Sequence, residues 1–151
     1  NEFKEICKNS PYSSRLIVVG RVDNSDVKNY FRCFDFFCTA STFETQGLTY
    51  LESLLSGTLV LARKDPCLDN FIEDGVNSLL FTDFNSWKKG VKTLLFNKNK
   101  TDEMKRNAGI TCHEYSKTTW ARRFANIYEQ ATNMEKGLQG TLNVEEVRKI
   151  K

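Results

Sequence analysis

The chain has 151 residues, which is enough for one domain with a hydrophobic core but not for two well-built domains. Its hydrophobic fraction of 40% and its eleven Phe, five Tyr and two Trp residues exclude an intrinsically disordered protein. The net charge of +3 is too small to predict nucleic-acid binding, which usually requires clustered basic residues and a much more basic balance.

The same composition argues against a membrane-spanning or zinc-binding protein. No apolar run approaches the roughly 20 residues that a membrane-spanning helix needs. The cysteines form no C-x-x-C pair, whereas zinc sites need three or four nitrogen or sulfur ligands at close spacing. The odd cysteine count and apolar neighbours, as in FFCTA, predict buried, reduced thiols in a cytosolic protein. The five cysteines are Cys7, Cys33, Cys38, Cys67 and Cys112.

Four short runs of apolar and β-branched residues predict β-strands. In chain order they are RLIVVG (Arg15–Gly20), DFFCTA (Asp35–Ala40), TLVLA (Thr58–Ala62) and NSLLF (Asn77–Phe81). The run CLDNFIEDG, between the last two, predicts a short helix or turn that ends at Asp74 and Gly75.

Apolar residues at helical spacing predict helices between and after these strands. SDVKNYFRCF follows the first strand, with Ser25 or Asp26 as its cap, and GLTYLESLLSG follows the second and ends at Gly57. Periodicity fades after about Asn133, so residues 133–151 predict a weakly ordered tail or a short helix. Three further helices are expected to begin near Asp83, Thr101 and Lys117.

Alternating strands and helices with apolar strands predict an α/β domain with a mainly parallel, Rossmann-like sheet and flanking helices. Ligands of such sheets bind beyond the carboxyl ends of the strands. The run ASTFETQG falls there, because it follows the second strand and opens the next helix.

Glu44 and Glu52 flank this helix start, eight residues apart. On one helix they would be separated by ~12 Å and rotated by ~80°, too far to share a small reacting group. With Glu44 in the loop, both can instead line one pocket for an elongated ligand. The stripe Leu48, Leu51, Leu54 and Leu55 predicts that Glu52 lies at the flank of the buried face, partly desolvated.

The helix start also predicts an anion site. Gly47 allows close approach of the backbone, and the free N–H groups of Gly47, Leu48 and Thr49 suit a phosphate. Two other interpretations stay open from the residues alone. In the first, the segment is purely structural, because Ser and Thr, here Ser41 and Thr42, are common helix caps. In the second, Glu44 and Glu52 are the acid–base pair of a glycoside hydrolase, which requires their carboxylates to be ~5–9.5 Å apart.

Lys88, Lys89 and Lys92, in WKKGVK, form a local basic cluster. It is typical of a solvated helix face, and the alternative is contact with an anionic membrane surface.

The run ASTFETQGLTYLESLLSG resembles the glutamate-x7-glutamate segment of retaining GT-B glycosyltransferases of family 4. Three flanking runs look like further segments of that family in the same order and spacing, so the resemblance covers residues 3–131. ETQGLTY is especially similar to the motif of bacterial diacylglycerol glucosyltransferases and related cell-envelope enzymes. The flanking runs are LIVVGRVDNSDVKNYFRCFDFFCTAS, GTLVLARKDPCLDNFIEDGVNSLLF and HEYSKTTWARRFANIYEQ.

The resemblance implies roles for individual residues. Glu44 would be the catalytic-site glutamate beside the donor hexose, and Glu52 would hydrogen-bond the ribose hydroxyls. The loop that contacts hexose and diphosphate would comprise Thr45, Gln46, Gly47, Leu48 and Thr49. The loop that cradles the base would comprise Gly20, Arg21 and Val22.

Three positions depart from the family pattern. Leu59 replaces the usual proline and Leu55 an alanine, and both are expected to pack in the core. Ser78 replaces a glycine and is expected to alter the turn at Asn77.

The resemblance also implies that parts of the family's fold lie outside this chain. The chain begins with Asn1, and nothing in it matches the family's first two strands, its diphosphate-binding Arg and Lys, or its acceptor domain. In a sheet with the strand order 3-2-1-4-5-6, Arg15–Gly20 would be strand 3. The family's strands 1 and 2 would then separate it from strand 4, the next predicted strand of this chain. We therefore expect the first strand either to pair directly with a remaining strand or to leave an exposed sheet edge.

The expected function is the donor-binding part of a retaining glycosyltransferase, within residues 1–132. It would move a hexose, with glucose expected, from a nucleotide-sugar such as UDP-glucose to a glycolipid or polysaccharide acceptor of the cell envelope. No catalytic metal or other cofactor is implied, and the chain alone is expected to be inactive. Its expected place is cytoplasmic, peripheral on the inner face of the membrane, and the alternative is a non-catalytic nucleotide-sugar or phosphate-binding module.

Overall fold

The computed structural model describes residues 2–141, and side chains as far as residue 133. Three parallel strands form its sheet, in the order β1 (Phe36–Thr39), β2 (Leu59–Arg63) and β3 (Leu79–Phe81). Phe37 pairs with Val60, and Leu61 pairs with Leu79. The α/β class and the parallel sheet predicted from the alternating pattern are confirmed.

The described residues form six α-helices, of which α3, α4 and α5 pack on the sheet. Four of the six begin close to the predicted positions. Asp83 caps α4 with a carboxylate that accepts hydrogen bonds from the N–H groups of Asn85 and Ser86. The helix expected from Thr101 begins earlier, because Asn97 caps it. The helices are α1 (Glu2–Asn9), α2 (Val27–Arg32), α3 (Leu48–Leu55), α4 (Phe84–Phe96), α5 (Lys98–Glu114) and α6 (Lys117–Thr141).

Two ends of the chain differ from the predicted elements. Helix α1 was not predicted from the sequence, and none of its residues is buried. Helix α6 continues to Thr141, eight residues past the point where the apolar periodicity fades. The rest of the predicted tail, residues 142–151, lies outside the described residues.

The core is built around β2, whose residues Leu59 to Ala62 are fully buried. Side chains alternate between the two faces of a strand, so β2 needs cover on both. Helix α3 covers the face of Phe37, whose ring meets Tyr50 edge-on at 5.9 Å. Helix α4 covers the face of Leu61, which touches Gly90.

The predicted strand Arg15–Gly20 is not a strand in this structure. A short 3-10 helix occupies Ser13–Arg15, and the apolar residues that follow make no ladder with the described strands. Their side chains are exposed, with Ile17 at 89%. A β-branched run becomes a strand only beside a partner, and β1 pairs with β2 alone. Of the two outcomes expected for Arg15–Gly20, the described residues show the exposed edge.

The three departures from the family pattern have separate outcomes. Leu59 is fully buried, as expected. The prediction that Leu55 packs in the core is wrong, because its side chain is 54% exposed. Ser78 is buried, and its hydroxyl oxygen accepts a hydrogen bond of 3.0 Å from the N–H of Val60. Ser78 thereby ties β3 to the central strand, in addition to its place beside the Asn77 turn.

The prediction of buried thiols is wrong for two cysteines. Cys112 is buried, but Cys33 and Cys38 are exposed. Cys38 lies on the edge strand β1, which pairs only with β2 among the described residues. Its sulfur accepts a hydrogen bond from the indole N–H of Trp87 at 3.3 Å. Within residues 2–141 no helix is long and apolar enough to cross a membrane.

The packing of α4 on β2 predicts opposite effects for two helical glycines. A Cβ at Gly90 would lie 2.6 Å from Cδ1 of the buried Leu61, whereas a Cβ at Gly109 in α5 would meet nothing within 4 Å. We expect Gly109→Ala to raise the free energy of unfolding by about 0.5–1 kcal/mol through helix propensity. Gly90→Ala gains the same propensity but overpacks the core by about 1–3 kcal/mol, so it should be destabilising.

Urea denaturation of both variants measures the two changes. An equal stabilisation by both substitutions would contradict the close contact of α4 with β2.

Candidate active site at the carboxyl edge of the sheet

The loops that follow β1 and β2 meet at the carboxyl edge of the sheet, as predicted for ASTFETQG. Beside them lies an open cleft of about 620 Å³ between the start of α3, the loop after β2 and the junction of α5 with α6. This places the predicted hexose and diphosphate loop at a concave surface. Its lining includes Thr45, Gln46, Leu48, Cys67, Phe71 and Trp120.

Gly47 fixes how α3 starts. Its φ of +63° lies in the left-handed region that favours glycine, and a Cβ there would lie 2.6 Å from Cζ of Phe71. No side chain of the described residues caps this helix, so the first N–H groups of α3 have no side-chain acceptor. The predicted anion-binding geometry of Gly47, Leu48 and Thr49 is therefore compatible with the backbone.

Glu44 is half-buried and is held by Tyr50, whose role was not predicted from the sequence. The Tyr50 hydroxyl donates a hydrogen bond of 3.1 Å to its carboxylate. Burial of Tyr50, and next its bond to Glu44, raise the pKa of Tyr50 to about 12. Tyr50 therefore stays protonated at neutral pH and remains a donor to Glu44.

A signal for this contact exists in the sequence. Side chains in the first turn of a helix tilt toward its N-terminus, so a tyrosine there points back at the preceding loop. Tyr50 is the third residue of α3, and Glu44 is in that loop.

Glu52 does not lie where the leucine stripe predicted. Its side chain is exposed, because the buried residues of α3 are Tyr50, Ser53 and Leu54, while Leu48 and Leu55 face solvent. At ~100° per residue, Glu52 lies roughly 160° from both Tyr50 and Leu54, on the opposite side of the helix. The prediction that Glu52 is partly desolvated is thus wrong. The large Tyr50 ring packs against Phe37, and this sets the rotation of α3 about its axis so that Glu52 faces solvent.

The two glutamates consequently do not share a pocket formed by the described residues. Glu44 faces Tyr50 on the buried side of α3, and Glu52 faces away from it. Neither lines the cleft beside Thr45 and Gln46. This arrangement does not place two carboxylates on either side of one bond, so it gives no support to a glycoside hydrolase.

The predicted base loop, residues 20–22, does not line this cleft. Gly20 and Arg21 are exposed, and they follow the unpaired apolar segment. Val22 is half-buried and lines a small apolar cavity of about 200 Å³ against Phe31 and Phe34. The position of a base loop depends on the segment that precedes it, and Arg15–Gly20 pairs with none of the described strands.

Cys67 lines the cleft but is a weak nucleophile. Burial, and next the hydrogen bond and charge of Asp65, raise the pKa of its thiol to about 11. The thiol is protonated at neutral pH, whereas reactive cysteines have lowered pKa values. Cys67 is therefore part of the wall of the cleft.

The model of the family "Glycosyl transferases group 1" matches residues 1–111. The chain belongs to this family. Two curated relatives are similar to it, and both are named alpha-monoglucosyldiacylglycerol synthase. The one from Streptococcus pneumoniae is 44% identical over 81 residues, which are 54% of this chain and 18% of the relative. The one from Acholeplasma laidlawii is 33% identical over 116 residues, which are 77% of this chain and 29% of the relative.

A solved structure also resembles this group 1 chain. The crystal structure of TarM superposes with a TM-score of 0.65 and covers 84% of this chain and 26% of TarM. At 20% identity this likeness concerns the fold alone. The chain thus spans less than a third of the length of the curated relatives it matches.

The contact between Tyr50 and Glu44 predicts a pH-dependent stability difference. The folded state holds the Tyr50 proton more tightly than the unfolded chain, whose pKa is near 10.0. Stability from this group is complete below pH 10 and is lost as the pH rises toward 12, by about 1.4 kcal/mol per pH unit.

Tyr50→Phe lacks this titration, and at neutral pH it should be about 1 kcal/mol less stable because Glu44 loses its donor. Denaturation of both proteins between pH 8 and 12 should therefore show this difference narrowing above pH 10. A constant difference across that range would contradict the raised pKa.

Proposed function

We propose that this chain is the donor-binding part of a retaining GT-B glycosyltransferase that transfers glucose from UDP-glucose to a diacylglycerol-type lipid. The observation that carries the proposal is membership of the group 1 family together with the Glu44–Glu52 segment at the carboxyl edge of a parallel sheet. The names of the curated relatives supply the glucosyl group and the lipid acceptor.

In this proposal α3 receives the diphosphate of the donor. The free N–H groups at its start and the helix dipole attract negative charge, and no side-chain cap in the described part of the chain competes for them. As the bond to the sugar breaks, negative charge grows on the leaving diphosphate. Fixed N–H dipoles stabilise that charge in the transition state without reorganisation.

Glu44 acts next to the hexose. A carboxylate beside the anomeric carbon stabilises the positive charge that develops there while the diphosphate leaves. Tyr50 is the positioning residue for Glu44, because its neutral hydroxyl fixes one carboxylate oxygen. The role requires no metal ligand, and we expect donor binding to be unchanged by a chelator.

Glu52 binds the ribose. Its exposed carboxylate on the outer side of α3 is free to accept hydrogen bonds from two adjacent hydroxyl groups. The base would be cradled by Gly20, Arg21 and Val22 once the apolar segment before them is paired. The 151-residue chain spans at most 29% of the matched relatives, and we propose that it does not transfer glucose alone.

Calorimetry on the full-length protein that carries this chain tests the two glutamates separately. Glu52→Gln should weaken UDP and UDP-glucose alike, by about tenfold or more, because charged hydrogen bonds contribute about 1.5–3 kcal/mol. Glu44→Gln should weaken UDP-glucose but not UDP. Glu129→Gln, an exposed glutamate on α6, is the matched control and should change neither.

Glucose transfer to diacylglycerol vesicles decides between an enzyme and a binding module. Transfer by the full-length protein, abolished by Glu44→Gln, supports the proposal. Tight donor binding without transfer would favour a non-catalytic module, and turnover of UDP-glucose by the 151-residue chain would contradict its proposed inactivity.

A further inference from the structure

The positive charge of the chain is concentrated in one stretch. Residues 84–101 contain five lysines and no acidic residue. The other 133 residues hold seventeen basic and 19 acidic side chains, so without this stretch the chain would be slightly acidic. The net charge of +3 therefore conceals a local basic segment.

Helix α4 presents three of these lysines on one outward face together with exposed aromatic rings. Phe84, Lys88, Lys92 and Phe96 follow one another at four-residue spacing, which forms a continuous ridge along a helix. The ring of Phe96 is 82% exposed and that of Phe84 is 68% exposed. We call this surface the basic α4 face; it comprises Phe84, Lys88, Lys89, Lys92 and Phe96.

The opposite side of α4 is occupied by the core. Gly90 and Leu94 are buried, and Gly90 touches Leu61 of the central strand. The helix is therefore fixed in rotation, and the basic α4 face cannot turn inward. A shallow cleft of about 520 Å³ runs along it, between the lysines and Phe96.

The lysines of this face have no acidic partner among the described residues, where the ion pairs are Lys100 with Glu103 and Arg123 with Glu114. Lys88 instead lies 5.0 Å from the centre of the Phe84 ring. Phe84 stacks on Trp87 at 5.4 Å. Cations and aromatic rings thus share one surface that faces outward.

We propose that the basic α4 face docks on a membrane surface that contains anionic phospholipids. Lysines attract the negative headgroups, and exposed phenylalanine rings enter the boundary between headgroups and acyl chains. Phe96 and Phe84 are among the most exposed large apolar side chains of the described residues, and both lie beside the lysines of this face. The choice of a membrane over another anionic partner rests on the proposed function, in which the acceptor is a lipid.

Vesicle co-sedimentation of the 151-residue chain, without sugar nucleotide, tests this surface. We expect binding to phosphatidylcholine vesicles with 30% phosphatidylglycerol, weaker binding at high salt, and little binding to pure phosphatidylcholine. Replacing Lys88, Lys89 and Lys92 together by Gln should weaken binding at least tenfold. The control replaces Lys4, Lys8 and Lys28 by Gln, which removes the same charge from exposed positions elsewhere and should have a much smaller effect.

Phe96→Ser separates the aromatic contribution from the charge. It should weaken binding severalfold while the salt dependence persists, and Phe3→Ser, a 68% exposed ring on α1, should not. Circular dichroism confirms that each variant is folded. All these positions are exposed, so the substitutions do not remove core contacts.

The proposal is overturned if the chain does not sediment with the anionic vesicles, or if the Lys88/Lys89/Lys92 variant sediments like the unmodified chain. Tighter binding to single-stranded RNA than to vesicles would overturn it in favour of nucleic acid. A protein that binds these vesicles through α4 but binds no sugar nucleotide would contradict the proposed function and leave the membrane surface standing.

Discussion

The central strand β2 is the element on which the rest of this structure depends. Its side chains from Leu59 to Ala62 are fully buried, because the strand has a parallel neighbour on each side and helices over both faces. Parallel pairs of this kind need such cover. The hydroxyl of Ser78 bonds to its backbone, and Gly90 lets α4 approach Leu61 closely. The strand ends, and with them the candidate site, are positioned by this packing.

The rotation of α3 about its own axis connects the packing of the core to the candidate site. Tyr50 fills the space against Phe37, and this places its hydroxyl on Glu44 while it turns Glu52 outward. One aromatic side chain therefore decides the surroundings of both glutamates. The half-buried carboxylate is oriented by the protein, and the exposed carboxylate remains open to a ligand. This division agrees with different partners for the two residues and gives no support to a shared acid–base role.

Two exposed surfaces have different physical origins. The apolar segment Leu16–Val19 and the outer edge of β1 make no strand pairing within the described part of the chain. Such edges are normally paired or covered. The basic α4 face is the outer side of a helix whose inner side is already packed, so its composition cannot be explained by the core. The first surface lacks a strand partner among the described residues, whereas the second is the outer face of a packed helix.

The sequence by itself determined the fold class, three of the four predicted strands, the Asp83 and Lys117 helix starts, and the family. Those features depend on local patterns: apolar runs, capping residues and motif spacing. Tertiary structure alone decided that Arg15–Gly20 stays unpaired, that Glu52 and Leu55 face solvent, and that Tyr50 holds Glu44. These outcomes depend on which neighbours are present and on competition between side chains for one buried space. The leucine stripe indicates only which residues of α3 are hydrophobic. The packing of the Tyr50 ring against Phe37 sets the rotation of the helix.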